Sequence, residues 1–103
     1  MTIEAWHFLT SDRLMRDGQG PVEAGQTYTH DGPLVICRSG LHASERAIDA
    51  LAYAPGCVIC RVECSGIGDP LGHTDKLVCR SRKVLWLSDV REVVVALAYW
   101  CAD

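Results

Sequence analysis

The chain has 103 residues, 49% of them hydrophobic and 22% charged, with a net charge of −3 and a pI of about 5.7. This length and balance predict a single domain over residues 1–103 with a real core, and they exclude a disordered chain. The mildly acidic charge gives no electrostatic case for a nucleic-acid partner, and no apolar stretch reaches membrane-spanning length. The N-terminal residues lack a basic segment followed by a long apolar run, so no signal peptide is expected. The six cysteines are accordingly read as reduced thiols of a cytoplasmic protein.

Ile3 to Leu9 reads as the first strand, with Ile3, Ala5, His7 and Leu9 on one face and Trp6 and Phe8 on the other. Both faces are largely apolar, which predicts a central strand. Thr10 to Gln26 is polar and turn-rich and reads as a loop. Thr27–His30 and Leu34–Cys37 then read as two strands around the tight connection Asp31-Gly32-Pro33. Ser39-Gly40 is a turn and Leu41-His42-Ala43 a short extended piece. Ser44 is placed to cap a helix reaching about Ala54, with Glu45 suited to the positive end of its dipole. Ala47, Ile48, Leu51 and Ala54 fall on one face of it. Pro55-Gly56 stops it, because proline lacks the donor and glycine tolerates the left-handed turn.

Cys57 to Cys64 is the clearest strand, with Val58, Cys60, Val62 and Cys64 lining an apolar face. Ser65 to Asp75 reads as a loop. Lys76 to Leu87 carries two apolar patches separated by Arg80, Arg82 and Lys83, and reads as strand, basic interruption, strand. Ser88 or Asp89 caps a last helix that buries Val90, Val93, Val94, Leu97 and Cys101. The fold class expected is α+β: a mostly antiparallel sheet of about five strands with two helices.

Three constellations bear on chemistry. Cys57-x-x-Cys60-x-x-x-Cys64, with His73 and Cys79 downstream, has zinc-like spacing. Strand periodicity, however, turns Cys57 and Cys60 to opposite faces, which favours core thiols and no metal. His7 and His42 read either as a core and a turn histidine, or as a pair facing one cleft. In the second reading the helix N-terminus beside His42 would offer donors to an anion. Lys76, Arg80, Arg82 and Lys83 are either a solvated strand face or, for Lys76, Arg80 and Arg82, an anion-binding rim.

The segments Trp6-His7-Phe8, Cys37 to Ser44, Tyr53-Ala54-Pro55-Gly56 and Asp75-Lys76-Leu77-Val78 together resemble a family of small uncharacterised accessory proteins common in bacteriophage genomes. Gly40-Leu41-His42-Ala43 is the most specific part. That resemblance implies a phage or prophage setting, a host cytoplasm, and a host protein as partner, such as a defence system of the CRISPR-effector kind. A second resemblance concerns chemistry. An early strand histidine, His7, followed by Gly40-Leu41-His42-Ala43-Ser44 and a helix with Tyr53-Ala54, is similar in order and type to the ADP-ribosyltransferases. The likeness implies that His7 bonds a ribose and that His42 faces the base or phosphate of NAD or another nucleotide. It also implies ligand-binding roles for Gly40, Ser44 and Tyr53. The late catalytic Glu or Gln of those enzymes has no match between Lys76 and Leu87.

Two functions are therefore expected as alternatives. One is an accessory protein that binds and modulates or inhibits a host factor without catalysis. The other is an ADP-ribosyltransferase-like enzyme, or a degenerate nucleotide-binding protein, that uses His7 and His42.

Overall fold

In a computed structural model the chain runs β1 (Thr2–Leu9), β2 (Thr27–Thr29), β3 (Leu41–Ala43), α1 (Ala47–Leu51), β4 (Val58–Ile67), β5 (Leu77–Asp89) and α2 (Arg91–Ala102). Residues 2–15, 18 and 20–102 are described, with side chains described as far as residue 96. Every strand pairing is antiparallel. The hydrogen-bonded order is β1-β4-β5-β2, with β3 also on β5. The fold is α+β, with one five-stranded sheet and two helices.

β4 shows most directly how the sequence makes this sheet. Val58, Cys60, Val62 and Cys64 are buried while the residues between them are half-buried, the alternation of a strand with one face on a core. In β1, Ala5, His7 and Leu9 stand opposite Val62, Cys60 and Val58. Directly paired residues share a face, so the strand's register sends His7 inward with the core. Val84 opposite Val62 and Arg82 opposite Cys64 continue the same face onto β5. Met15 and Val22 from the long first loop close the core from outside the sheet.

β1 lies at an end of the strand order, not at its centre as its two apolar faces suggest. Its second edge is covered differently. Trp6 and Ser44 exchange both backbone hydrogen bonds, at 2.7 and 2.9 Å. Since β3 pairs with β5 just before Ser44, the sheet's path returns to β1 and the sheet closes on itself. This bridge also corrects the expected helix. Ser44 is held in an extended conformation by Trp6 and cannot be the helix cap. The helix starts at Ala47, with Arg46 preceding it and no side-chain cap. After Leu51 the chain tightens into three-residue turns, Tyr53 N–H to Ala50 and Ala54 N–H to Leu51. Gly56 is then needed where the chain passes close to the end of β1, because a Cβ there would meet Thr10 Cα at 2.7 Å and the Leu9 carbonyl oxygen at 2.8 Å.

Three further expectations change. Leu34–Cys37 is not a strand. Val35 and Ser39 bridge across a turn in which Arg38 and Ser39 both donate to the Val35 carbonyl. β5 is one continuous strand of 13 residues. Arg80 and Lys83 are exposed and Arg82 is buried, so the basic residues are accommodated by alternation, with a bulge opposite Arg61/Val62. The face chosen for each helix is only partly buried. Ile48 and Val93 are more than half exposed, at 54% and 66%; a five-residue α1 is too short to lay a full stripe on the sheet, and it buries Ala50. The Leu97 and Cys101 side chains lie outside the described set. Asp89 does cap the last helix, its Oδ1 accepting from the Arg91 N–H at 2.9 Å. No helix among the described residues is long and apolar enough to cross a membrane.

Candidate functional site

A cavity of about 600 Å³ opens between the middle of β1, the segment from Cys37 to Ser44, and the turn that follows α1. That volume falls in the range of small-molecule sites. The register of β1 brings His7 to it, and the closure of the sheet at Ser44 brings His42, so both histidines line the same space. Gly40, Ser44, Tyr53, Lys76 and Arg82 line it as well. Arg80 does not. Its guanidinium is turned to the second loop, where Nη1 donates to the carbonyls of His30 at 2.6 Å and Gly32 at 2.8 Å. The expected anion rim therefore keeps Lys76 and Arg82 and loses Arg80.

The segment carrying His42 is fixed by its own bonds. His42 Nε2 accepts the Cys37 N–H at 2.9 Å, and the ring also hydrogen-bonds the backbone of Gly40. One nitrogen accepts and the other donates, so the imidazole is neutral. Burial holds its pKa below the usual histidine value, opposed by the Gly40 bond and reinforced by the charges of Lys76 and Arg82. Gly40 itself sits at φ +116, and a Cβ there would lie 2.6 Å from Val78 Cγ2 and 2.9 Å from Leu34 Cδ2. Only glycine fits this position. Arg82 locks the other side, its Nη1 donating to the His42 carbonyl at 2.5 Å. His42 is thus both a turn residue and a wall of the cavity.

The helix N-terminus expected beside His42 as the source of positive potential is not formed. A helix of five residues does not supply it. The positive potential comes from side chains, the guanidiniums of Arg38 and Arg82 and the ammonium of Lys76. Among the described residues that line the cavity none is a carboxylate. Asp75 stands next to the lining, where its Oδ2 accepts from the Tyr53 hydroxyl, a bond that holds the carboxyl below its ordinary range. Lys76 Nζ lies 4.6 Å from the centre of the Tyr53 ring, a cation–π distance. Trp6, Phe8 and Leu41 provide the apolar wall. Arg38 and Cys37 were not singled out from the sequence. The signal available was their place beside the Ser39-Gly40 turn, which carries them into the same loop as His42.

Three other cysteines belong to the core. Cys60, Cys64 and Cys79 are fully buried, and burial pushes the Cys60 thiol up to about 11. Cys64 is pushed up by its hydrogen bond to Cys79 first and by burial second. Cys57 lies just outside β4 and is half-buried. Among the described residues no group of three or more His, Cys, Asp or Glu side chains is arranged to hold a metal ion.

Chemically, the cavity suits a ligand with an aromatic or apolar part and an anionic part. The first part meets Trp6 and Phe8, and the second meets Arg38 and Lys76. Comparison with curated proteins and with solved structures finds no match. A family model described as a domain of unknown function, DUF7666, matches residues 3–96, and the chain belongs to that family.

Proposed function

We propose that the protein binds a small anionic ligand of nucleotide type in the cavity between β1 and the Cys37–Ser44 segment. The observation that supports this reading is the lining: among the described residues it holds two histidines, two arginines and a lysine, with aromatic side chains and no carboxylate. Guanidinium groups match phosphate oxygens in a forked geometry, and an aromatic wall accepts the face of a base. His42 contributes as a neutral, rigidly held ring, and His7 faces the same space from β1. The reading keeps the nucleotide or NAD ligand that the ADP-ribosyltransferase likeness implies and leaves out the transferase chemistry. Thermal denaturation against a panel of NAD, ADP-ribose, ADP, AMP and inorganic phosphate tests it. A ligand bound only by the folded state raises the midpoint, by about 2.7 kcal/mol of added stability at a hundred times the dissociation constant. The expected result is a rise with at least one nucleotide, reduced at least tenfold in apparent affinity by Lys76→Ala or Arg38→Ala. No rise with any member of the panel contradicts the reading.

A second reading is that the protein modulates a host macromolecule through its surface, in a phage setting. One observation favours it. Arg61 stacks on Trp6 with its guanidinium carbon 4.4 Å from the ring centre, and Trp86 meets the same ring edge-on at 5.8 Å while remaining 46% exposed. Exposed tryptophan and arginine are the residue types that dominate protein–protein contacts.

A further inference from the structure

Cys37, His73 and Asp75 form a line beside the cavity. Cys37 is exposed and lines the cavity. Its Sγ lies 3.8 Å from Nε2 of His73. Nδ1 of the same imidazole lies 4.0 Å from Oδ1 of Asp75. The second Asp75 oxygen is occupied by the Tyr53 hydroxyl, which fixes the carboxylate's orientation. Thiol, imidazole and carboxylate thus stand in the order of nucleophile, base and orienting group, at separations looser than in a working complex, as unliganded sites commonly show. The backbone adds an independent observation. Cys37 has φ +70, a left-handed conformation that residues with a side chain rarely adopt. It is imposed by the Val35–Ser39 turn and by the bond from its N–H to His42. A strained tight turn that presents a nucleophile is a recurrent device of hydrolytic sites. Lys76 lines the same cavity as Cys37, and the Cys37 sulfur is the main cause that raises its pKa and keeps the ammonium charged.

We propose that Cys37 is the nucleophile of an acyl-transfer site, with His73 as its base and Asp75 as the positioning carboxylate, and that the substrate is an activated acyl group, a thioester or ester. His73 Nε2 takes the thiol proton while the sulfur electron pair forms a bond to the carbonyl carbon. The Lys76 ammonium is placed to stabilise the oxygen that becomes negative. When the tetrahedral species collapses, the bond from carbon to the leaving sulfur or oxygen breaks. The leaving group departs with the electron pair and receives the proton from His73. The products are a Cys37 thioester and a free thiol or alcohol. Water adding to that thioester, with His73 again as base, releases a carboxylic acid and restores the thiol. No oxidant or metal enters the balance. The inference does not rest on the nucleotide reading, since the step needs no nucleotide in the cavity.

The test incubates the whole chain with p-nitrophenyl acetate, and separately with S-phenyl thioacetate, and follows release of the phenol or thiol together with acetyl on each cysteine peptide by mass spectrometry. The expected result is acetylation of Cys37 about a hundredfold faster than of N-acetylcysteine. His73→Gln removes that advantage, and Cys57→Ser leaves it unchanged. Asp75→Asn lowers the rate and alters its pH profile while the thermal midpoint stays within a few degrees, which separates positioning from folding. Acetylation of Cys37 at the rate of N-acetylcysteine, unaffected by His73→Gln, overturns the proposal, as does a labelled Cys57 in place of Cys37.

Discussion

His42 spends both ring nitrogens on its own loop, one accepting from Cys37 N–H at 2.9 Å and the other bonded to the backbone of Gly40. This arrangement requires the neutral ring, and burial holds the folded-state pKa below the ordinary histidine value of 6.5. As pH falls, the unfolded chain takes up this proton first. By linkage the folded state then loses stability from about pH 6.5 downward, and the loss continues until the folded pKa is passed. The carboxyl of Asp75, also lowered from its ordinary value, first by the Tyr53 hydroxyl, acts in a separate and more acidic window. Urea denaturation between pH 7.5 and 5 should therefore show falling stability in the wild type and a flatter profile in His42→Gln. Equal profiles would show that His42 is not the group responsible. The sequence made the place of this residue legible, because the Ser39-Gly40 turn leads into the short extended piece Leu41-His42-Ala43, which the structure holds as β3. It could not show which atoms the ring would meet, since Cys37 reaches it only through a turn at positive φ. A left-handed cysteine has no sequence signature of the kind glycine has.

Among the elements, β4 was readable because one face alone is buried and the alternation survives in the residue types. β5 reads as broken in the sequence because its buried face includes Arg82. An arginine in an apolar face looks like an interruption until its hydrogen bond to the His42 carbonyl is known. α1 was read as longer than it is because Ser44 satisfies the pattern of a cap, while a non-local partner, Trp6, determines its conformation. Tertiary pairing overrides a local signal in both cases. The difference has a consequence for stability. Leu9, fully buried on the inner face of β1, should cost about 2–5 kcal/mol when replaced by alanine. Ile48, on the open side of α1, should cost within about 0.5 kcal/mol when replaced by glutamine. Chemical denaturation of the two variants measures both. A large loss at Ile48 would mean that α1 is packed more fully than its exposure indicates.

At the scale of the whole molecule, the α+β architecture with a mostly antiparallel sheet of five strands followed from composition and periodicity. The closure of the sheet did not, because it depends on a single bridge between Trp6 and Ser44, residues far apart in the chain that no local pattern links. That closure gives the cavity its shape. It sets His7 and His42 on one space, with Arg38 and Lys76 on its lining, while Arg80 is held away by its bonds to the His30 and Gly32 carbonyls. The functional account accordingly turns on whether an anionic ligand enters there. An amide-resolved NMR titration with ADP and with NAD tests this most directly. Saturable shifts are expected, confined to the segment from Cys37 to Ser44, the middle of β1 and Lys76, and lost in Arg38→Ala. Shifts absent throughout, or clustered instead around Trp86 and the start of α2, would contradict it.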